Sequence, residues 1–351
     1  SLYLWETINL HNYTDSTSLF GVIKILVSII TVYYNREDRV IDSIQSLLNQ
    51  TYENIEIIAV DDGSTDNTLE VLRSIKDPRY KVITHPNMGL TKSLIKAVKM
   101  AKGEAIAIHG SGDISHPERI KKQVEILQCR EDIGVVGCYV KNYNSESGET
   151  TFFKSRIPPG VNLTDLLKQR NLFTHGEVMF RKKIYEQVGG YREFFKYAQD
   201  RDLWLRMSIV TNFYIVPEVL YTRYLFSDGV YLSVHKTILQ KFLSDISRQS
   251  IELRLDGKQD LVELYGNYAP FFRKRNKVAS KNFAFLALRE FINKNVNNAH
   301  DVIKISINEN RNLINMSIYL ILKISQLDNR LSRLIRVVLQ KIRLLRRRLI
   351  H

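Results

Sequence analysis

Strand and helix patterns alternate along this chain between residues 24 and 139. Apolar runs such as residues 55–60 and 105–108 have the composition of buried strands, and helical spacing of apolar residues follows each of them. Parallel strands of one sheet are joined in this way, with the connecting helices packed on both faces. The sequence therefore predicts an α/β domain built on a parallel sheet.

The rest of the chain is organised differently. After residue 142 the pattern loosens into turns and short elements as far as about residue 228, and beyond residue 235 it indicates helix to the end. A chain of 351 residues has room for one large domain with an appendage. We therefore predict a catalytic-type domain at 22–232 and a helical region at 233–351, and we leave residues 1–21 unassigned.

The net charge of +14 is unevenly distributed along the chain. Residues 330–348 contain eight lysines and arginines and no acid, and apolar residues recur there at helical spacing. This pattern is typical of a basic amphipathic helix on an anionic membrane surface, although a helix packed on the protein with solvated arginines would share it. Nucleic-acid binding is disfavoured, because no aromatic residues interleave with these cations. No apolar run reaches the ~18 residues that a membrane span requires.

The cysteine content bears on the compartment. Cys129 and Cys138 are too few for a disulfide framework and lack the spacing of a metal site. We also find no pattern of a secretory signal, so we expect a reduced, cytoplasmic compartment. Together with the basic helix, this predicts a peripheral protein on the inner face of the cell membrane.

Two carboxylates follow directly after the predicted strand at residues 55–60. Asp61 and Asp62 come before Gly63, which lets the chain turn sharply where the strand ends. Open α/β sheets bind their ligands at the carboxyl ends of the strands, so a small-molecule pocket is the leading interpretation. A solvated acidic turn would have the same spacing, and the spacing alone leaves both interpretations open.

Several short motifs occur in order between about residues 25 and 225. They read Val32-Tyr33-Tyr34-Asn35, Val60-Asp61-Asp62-Gly63-Ser64, Asn87-Met88-Gly89-Leu90, Asp113-Ile114-Ser115-His116-Pro117, His175-Gly176-Glu177, Gly189-Gly190-Tyr191 and Gln199-Asp200-Arg201-Asp202-Leu203-Trp204. In their order and spacing the chain resembles the family 2 glycosyltransferases. The resemblance implies the GT-A fold, a Rossmann-like and mostly parallel central sheet flanked by helices, here with an α-helical C-terminal extension. It also implies an enzyme that uses a nucleotide-sugar, in most members with inversion at the anomeric carbon.

The resemblance also implies a set of nucleotide-binding residues. They are Tyr34, Asp61, Asp62, Asn87, Gly89, Lys92 and Asp113. An aromatic ring at position 34 can stack on a base, and Asp62, with Asp61 as a second candidate, can accept the imide hydrogen of uracil. Lys92 would lie near the phosphates. A core tyrosine with a satisfied hydroxyl remains the alternative for Tyr34, and a solvated helix lysine remains the alternative for Lys92.

Asp200 is the expected catalytic residue. In the family that the chain resembles, the carboxylate at this position acts as general base on the acceptor hydroxyl, a role that supplies roughly 10²–10⁴ in rate. Gln199 stands where the family usually has Glu, which removes one negative charge beside the base. Asp202 is a further acceptor candidate or else organises the helix start, and His175 either binds the acceptor or is structural.

A departure from the family pattern concerns the metal. The usual Asp-x-Asp-Asp motif, which binds ribose and a divalent cation, reads Gly110-Ser111-Gly112-Asp113 here. Glycine offers no oxygen ligand from a side chain, so Mg²⁺ or Mn²⁺ has only Asp113 as a weak candidate ligand. No histidine follows Arg223 until His235, although many family members place a metal ligand there. We therefore expect cations to offset the diphosphate charge, with the candidates Arg181, Arg223, Lys92, His109 and His116.

These observations favour one function and leave a second one open. We expect an inverting transferase of the hexosyltransferase type that moves a sugar, with UDP-sugars as the leading donors, to a glycan or lipid-linked acceptor in surface polysaccharide biosynthesis. The alternative is a non-catalytic relative that binds nucleotide, glycan or a partner transferase, which the two motif glycines would suit. A dinucleotide-binding enzyme is disfavoured, since no Gly-x-Gly-x-x-Gly turn follows the first strand.

Overall fold

The computed structural model describes residues 24–145, 147–225 and 233–349. Nine strands lie within these ranges: β1 (Val27–Tyr33), β2 (Ile55–Asp61), β3 (Tyr80–Thr84), β4 (Ala105–Gly110), β5 (Ile114–Ser115), β6 (Ile133–Asn144), β7 (Thr150–Phe153), β8 (Met179–Arg181) and β9 (Asn212–Leu225). They form one sheet in the order β3-β2-β1-β4-β8-β6-β9-β5, and β7 pairs with β6.

Most of this sheet is parallel. β1 pairs in parallel with β2 and β4, and β2 pairs in parallel with β3. β8 is antiparallel to both β4 and β6, so β6 and its parallel partner β9 run in the same direction as the first four strands. The short strands β5 and β7 are antiparallel to β9 and β6. The predicted α/β fold of the GT-A type is confirmed, and the carboxyl ends of the parallel strands meet at one edge.

Helices cover both faces of the sheet. They are α1 (Val40–Leu48), α2 (Thr68–Ser74), α3 (Leu90–Met100), α4 (Arg119–Cys129), α5 (Leu163–Gln169), α6 (Lys182–Gln187) and α7 (Gln199–Met207), with a 3₁₀ turn at Glu37–Arg39. Side chains alternate along β1, so Ile29 packs with α1, α2 and α4 on one face, whereas Ile30 packs with α3, α5 and α7 on the other. This two-sided burial explains why the strands are nearly continuous apolar runs.

The described part of the C-terminal region, residues 233–349, is built of helices, as predicted. It contains α8 (Val234–Leu255), α9 (Leu261–Tyr265), a 3₁₀ turn (Gly266–Tyr268), α10 (Ala269–Phe272), α11 (Lys277–Ile292), α12 (Val296–Glu309), α13 (Leu313–Leu327) and α14 (Asn329–Leu349). Its own core surrounds the buried side chains of Phe283, Phe291 and Leu322. A buried ion network joins this region to the sheet domain, since Arg192 contacts both Asp202 of α7 and Asp260 before α9.

One long strand departs from the prediction. We expected turns and short elements after residue 142, yet β9 extends over 14 residues. Its burial does not alternate regularly, because Pro217 lies within the strand and the pairing with β6 shifts register near Cys138 and Tyr139. A sequence pattern of period two cannot detect a strand that is interrupted in this way. The unassigned segment 1–21 lies outside the described residues.

The predicted basic amphipathic helix corresponds to α14. Ile335 and Leu339 pack against the core of the helical region, and the guanidinium of Arg336 lies 5.5 Å from the ring centre of Phe291. Leu334 and Val338 are exposed on the same helix. The helix therefore packs on the protein, as one interpretation proposed, and still presents apolar side chains to the outside. Among the described helices, none combines the length and apolar character that crossing a bilayer would require.

Candidate active site

The end of β1 is tied to the loop that follows β2. Asn35 has a left-handed backbone with φ of 51°, and its side-chain oxygen accepts a hydrogen bond from the Thr65 N–H at 2.9 Å. Its own N–H donates to Ser64 Oγ at 3.1 Å. Tyr34, the residue before Asn35, is 46% exposed, whereas Tyr33 is completely buried. The Tyr34 ring is therefore open to stacking at the predicted edge, and its role with the base stays a prediction.

Asp61 and Asp62 are both buried and hold neighbouring loops together. Asp61 accepts hydrogen bonds from the Ser64 N–H at 3.1 Å and from Thr84 Oγ1 at 2.9 Å. Asp62 accepts from Ser93 Oγ at 2.9 Å and from two successive backbone N–H groups before α3 at 2.9 and 3.0 Å. The interpretation as a solvated acidic turn is wrong, because these carboxylates fix the loop between β3 and α3.

Gly63 permits this close approach of two loops. Its φ is +70°, and a Cβ at this position would lie 2.4 Å from the backbone nitrogen of Asn87. Gly89, with φ of +88°, has no heavy atom within 4 Å of where its Cβ would stand. The structure thus brings Asn87 and Gly89 beside the two aspartates. It pairs the exposed Lys92 with Glu193 at 3.5 Å, and the predicted role of Lys92 with phosphate is untested.

A closed cluster lies at the carboxyl end of β4. Tyr221 Oη donates to Asp113 Oδ2 at 2.7 Å and accepts from the Gly110 N–H at 2.8 Å, and the Tyr224 N–H donates to Asp113 Oδ1 at 2.9 Å. A Cβ at Gly110 would lie 2.3 Å from Asp113 Oδ2, and one at Gly176 would lie 2.4 Å from Tyr221 Oη. The two glycines therefore leave the room that the buried Asp113–Tyr221 pair fills. We name Gly110, Asp113, Gly176 and Tyr221 the Asp113 cluster.

The electrostatics of this cluster follow from its burial. Loss of solvent raises the pKa of the Asp113 carboxyl to about 7, against the opposing effects of its two hydrogen bonds and of the Arg223 charge. Arg223 lies on β9, and its buried Nε has no hydrogen-bond partner in the described part of the chain. Burial and the Arg119 charge lower the pKa of His109, which makes the neutral imidazole the favoured form near pH 7.

A divalent cation, which the family resemblance implies, does not fit this edge of the sheet. Mg²⁺ and Mn²⁺ are held by oxygen ligands, and Mg²⁺ is usually bound by one or two carboxylates together with waters and substrate phosphates. Gly110 and Gly112 offer no side chain, and both oxygens of Asp113 already accept hydrogen bonds within the protein. No group of three metal-binding side chains occurs in residues 24–145, 147–225 or 233–349. The side chains at positions 110–113 therefore do not fit a metal site, and the independence of the reaction from a metal stays a prediction.

A cavity of about 170 Å³ is lined by the end of β4 and by the loop at residues 174–176. His175 lines it with a left-handed backbone of φ 86°, and its Nε2 lies 2.8 Å from Tyr191 Oη. Glu177 is buried and accepts hydrogen bonds from the N–H and the Oγ1 of Thr174 at 2.7 and 2.6 Å. These bonds hold the strained loop in place, and such strain is concentrated at functional sites in proteins.

Asp200 lies at the start of α7, close to this loop. The preceding Ala198 has a left-handed backbone with φ of 61°, and the Nδ2 of Asn171 donates to Asp200 Oδ2 at 2.8 Å. Burial lowers the pKa of His175, and the negative charge of Asp200 acts in the opposite direction. The candidate base is therefore partly buried, oriented by an amide and near a residue that lines the cavity.

Two predicted site residues are not brought to the cavity. The Asp202 carboxylate is buried between the guanidiniums of Arg192 and Arg206, so it anchors α7 instead of facing an acceptor. Arg181 pairs with Ala105 at the start of β4, which is the opposite edge of the sheet, and its guanidinium donates to backbone carbonyls there. Gln199 is buried at the first position of α7.

For several residues of the site, no role could be predicted from the sequence. Glu177 belongs to a quoted motif but received no role, and Tyr221 lies in the irregular strand β9. Asn171 is 29 positions before Asp200 and belongs to no motif. Gly176 is needed because the Tyr221 hydroxyl approaches its backbone closely. Each of these roles arises from contacts between segments that are distant in sequence.

Comparison with known proteins adds a family relationship to this geometry. A model of the family described as Glycosyl transferase family 2 matches residues 28–189. The putative glycosyltransferase EpsE of Bacillus subtilis is 34% identical over 186 residues, which are 51% of this chain and 66% of EpsE. The O-antigen biosynthesis glycosyltransferase WbnJ of Escherichia coli is 33% identical over 189 residues, which are 52% of this chain and 71% of WbnJ. The chain thus spans about two thirds of the length of EpsE.

Solved structures share the fold. The crystal structure of TarS from S. aureus in complex with UDP-GlcNAc has a TM-score of 0.55 and 16% sequence identity, over 86% of this chain and 91% of that one. The likeness extends beyond the sheet domain, since 86% of the chain is more than residues 24–225 make up. At this low identity the likeness establishes the fold alone.

Proposed function

This chain belongs to glycosyltransferase family 2, and we propose that it transfers a sugar from a nucleotide-sugar donor to an acceptor hydroxyl with inversion at the anomeric carbon. The proposal rests on the surroundings of Asp200. Its carboxylate is oriented by Asn171 and lies near His175, which lines the cavity at the end of β4. A positioned, partly buried carboxylate beside a cavity is what a general base requires.

In the proposed reaction Asp200 accepts the proton of the acceptor hydroxyl. The oxygen then attacks the anomeric carbon from the face opposite the nucleoside diphosphate, whose bond to the sugar breaks. Asn171 holds one oxygen of Asp200, which leaves the other oxygen for the acceptor. His175, tied to Tyr191 at 2.8 Å, would bind the acceptor on the cavity side. The proton ends on Asp200 and the electron pair of the broken bond ends on the diphosphate.

The donor is proposed from the loops at the carboxyl ends of β1 and β2. The half-exposed ring of Tyr34 is available to stack on a base, and Asp61 and Asp62 shape the loop beside it. We propose a UDP-sugar of the hexose type, because TarS was crystallised with UDP-GlcNAc and shares the fold. The name of WbnJ supports a glycan or lipid-linked acceptor in surface polysaccharide biosynthesis.

We further propose that the transfer requires no divalent cation. The Asp113 cluster keeps the carboxylate that remains of the usual motif bonded within the protein. Arg223 is the best placed of the candidate cations to offset diphosphate charge, because it interacts with Asp113 and its buried Nε lacks a partner among the described residues. Electrostatic stabilisation of a developing charge is usually a large part of catalysis.

The experiment has a binding arm and a reaction arm. Thermal shift with UDP, GDP, dTDP and CMP sugars, each with EDTA or with Mn²⁺, identifies the nucleotide and tests for a metal. We expect one nucleotide class to stabilise the protein equally in EDTA. The metal-free proposal fails if stabilisation appears only with Mn²⁺.

The reaction arm compares wild type with Asp200→Asn. Loss of the base should lower kcat about 10²–10⁴-fold and leave donor affinity unchanged. Asp165→Asn, at an exposed acid of α5, is the matched control and should retain activity. Unchanged kcat in Asp200→Asn would refute the assignment of the base.

A second candidate function is supported by the same glycines. A non-catalytic relative would keep the fold and bind nucleotide or glycan, and it would not need the acidic residues that Gly110 and Gly112 replace. A wild type that binds nucleotide in the thermal-shift arm and yet neither transfers nor hydrolyses any donor would favour this binding function.

The proposed location is the inner face of the cell membrane, with α14 as the contact. Its exposed Leu334 and Val338 alternate with cations such as Arg333, which suits an anionic lipid surface. Binding of the full chain to anionic vesicles, lost at high salt, is the expected result. Equal binding to neutral vesicles would contradict it.

A further inference from the structure

An exposed aromatic surface lies in the helical region, away from α14 in sequence. Phe271 is 83% exposed, Tyr268 is 69% exposed and Phe272 is 49% exposed, and Leu264 nearby is also exposed. These side chains belong to the segment that links α9 through α10 to α11. Exposed aromatic side chains that are so close together are uncommon on a soluble surface and indicate a binding site.

This segment is held rigidly from beneath. The side chain of Gln249 on α8 bonds to both the N–H and the carbonyl of Lys274, at 2.8 Å each. The buried guanidinium of Arg273 contacts Asp245 of α8 and Glu309 of α12. The Phe272 ring stacks on Tyr265 with 3.6 Å between ring centres. The exposure of Phe271 is therefore built into the fold, since its neighbours are fixed to two helices.

The same segment is strongly basic. Between residues 264 and 277 the chain has four lysines and arginines and no acid. Arg273 is internally paired, whereas the side chains of Lys274, Arg275 and Lys277 are exposed directly after the aromatic residues. We name residues 264–277 the aromatic-basic segment.

We propose that the aromatic-basic segment is a second membrane contact, which inserts Tyr268, Phe271 and Phe272 into the interface of an anionic lipid bilayer. Aromatic rings favour the headgroup level of a bilayer, and adjacent lysines and arginines attract anionic headgroups. A protein partner would have to bury four apolar side chains and place acids opposite three cations. An anionic lipid surface offers an apolar layer for these side chains and negative charges for the cations, and it needs no specific complementary shape.

This contact would act together with α14. Two membrane-binding elements on one chain raise the affinity by effective concentration, whereas each alone binds weakly. The inference goes beyond the transfer reaction and can fail independently of it, because vesicle binding requires neither donor nor acceptor.

The first test measures partition of the full chain onto vesicles of phosphatidylglycerol and phosphatidylcholine by flotation. The triple variant Lys274→Glu, Arg275→Glu, Lys277→Glu should lower the partition coefficient about 100-fold, at about fivefold for each cation that is lost. The control triple Lys99→Glu, Lys102→Glu, Lys121→Glu makes the same change of net charge at exposed lysines of the sheet domain and should have a much smaller effect. Equal losses in the two triples would overturn the proposal.

The second test reports on the segment itself. In the variant Phe271→Trp the new indole should shift its fluorescence to shorter wavelength on binding vesicles and be quenched by lipids brominated in the acyl chain. Phe152→Trp, at an exposed phenylalanine of β7, is the matched control and should show neither change. Vesicle binding without quenching in Phe271→Trp would overturn the proposal, because α14 alone would then account for binding. Failure to bind vesicles, with self-association or capture by an acidic protein instead, would also overturn it.

Discussion

Removal of the Asp113 charge should change how the stability of the protein depends on pH. The carboxyl is 5% exposed, and its burial raises its pKa to about 7 in the folded protein. In the unfolded chain an aspartate titrates near pH 4. The substitution Asp113→Asn keeps the size of the side chain and removes the titration.

The direction of the pH dependence follows from when the Asp113 carboxyl loses its proton in the folded and in the unfolded chain. Below about pH 4 the carboxyl is protonated in both the folded and the unfolded chain, so ionisation adds nothing to the free energy of unfolding. Between about pH 4 and pH 7 the unfolded chain loses the proton while the folded protein keeps it, and stability falls as pH rises. A difference of about three pKa units corresponds to ~4 kcal/mol, which is the upper limit of this loss. The Asp113→Asn variant should not show this loss.

Urea unfolding of both proteins across this pH range is the appropriate assay. The free energy of unfolding of Asp113→Asn, measured relative to wild type, should rise by up to ~4 kcal/mol from about pH 4 to about pH 7. Asp165→Asn, which removes an exposed charge, should follow the wild-type profile. A constant difference between Asp113→Asn and wild type at every pH would refute the reasoning, because it would mean that the Asp113 carboxyl titrates alike in both states.

Three further substitutions test the architecture of the site. Gly63→Ala should destabilise the protein by about 1–3 kcal/mol in thermal unfolding and weaken nucleotide binding, since its Cβ would press on the Asn87 backbone at 2.4 Å. Arg192→Met should cost about 3–5 kcal/mol in urea unfolding, because it leaves two buried carboxylates without a shared cation. Unchanged stability would contradict either expectation. Asn171→Ala should lower kcat about tenfold through loss of the hydrogen bond to Asp200 and leave the donor KM unchanged, whereas a change in KM alone would contradict a positioning role.

Much of the sheet domain could be predicted because its elements have regular patterns. The predicted strand at 55–60 matches β2 to within one residue, and the predicted strand at 105–108 lies within β4. The irregular strand β9 was missed, since its pairing contains register shifts and a proline. Local periodicity reports burial on one face, and it fails where bulges move side chains between faces.

The candidate site could be predicted only where its residues stand in compact motifs. Asp200, Tyr34 and the aspartates after β2 could be proposed because each lies in a recognisable run at a strand end or helix start, and their roles stay predictions. Arg181 was assigned to the same site and lies elsewhere, and Asp202 has a structural role in α7, the alternative to binding an acceptor, because charge and proximity in sequence do not determine the direction of a side chain. Buried ion pairs and backbone carbonyls hold these two residues instead.

The sequence by itself determined the α/β class and the helical C-terminal region, since these follow from pattern and composition. It also shows glycines at positions 110 and 112, but only the tertiary structure decided what occupies the space beside Gly110. The space beside Gly110 is filled by the Asp113–Tyr221 pair, whose members are 108 positions apart. A glycine in a sequence signals freedom of the backbone, but the atom that approaches it is set by the packing of strands distant in the chain.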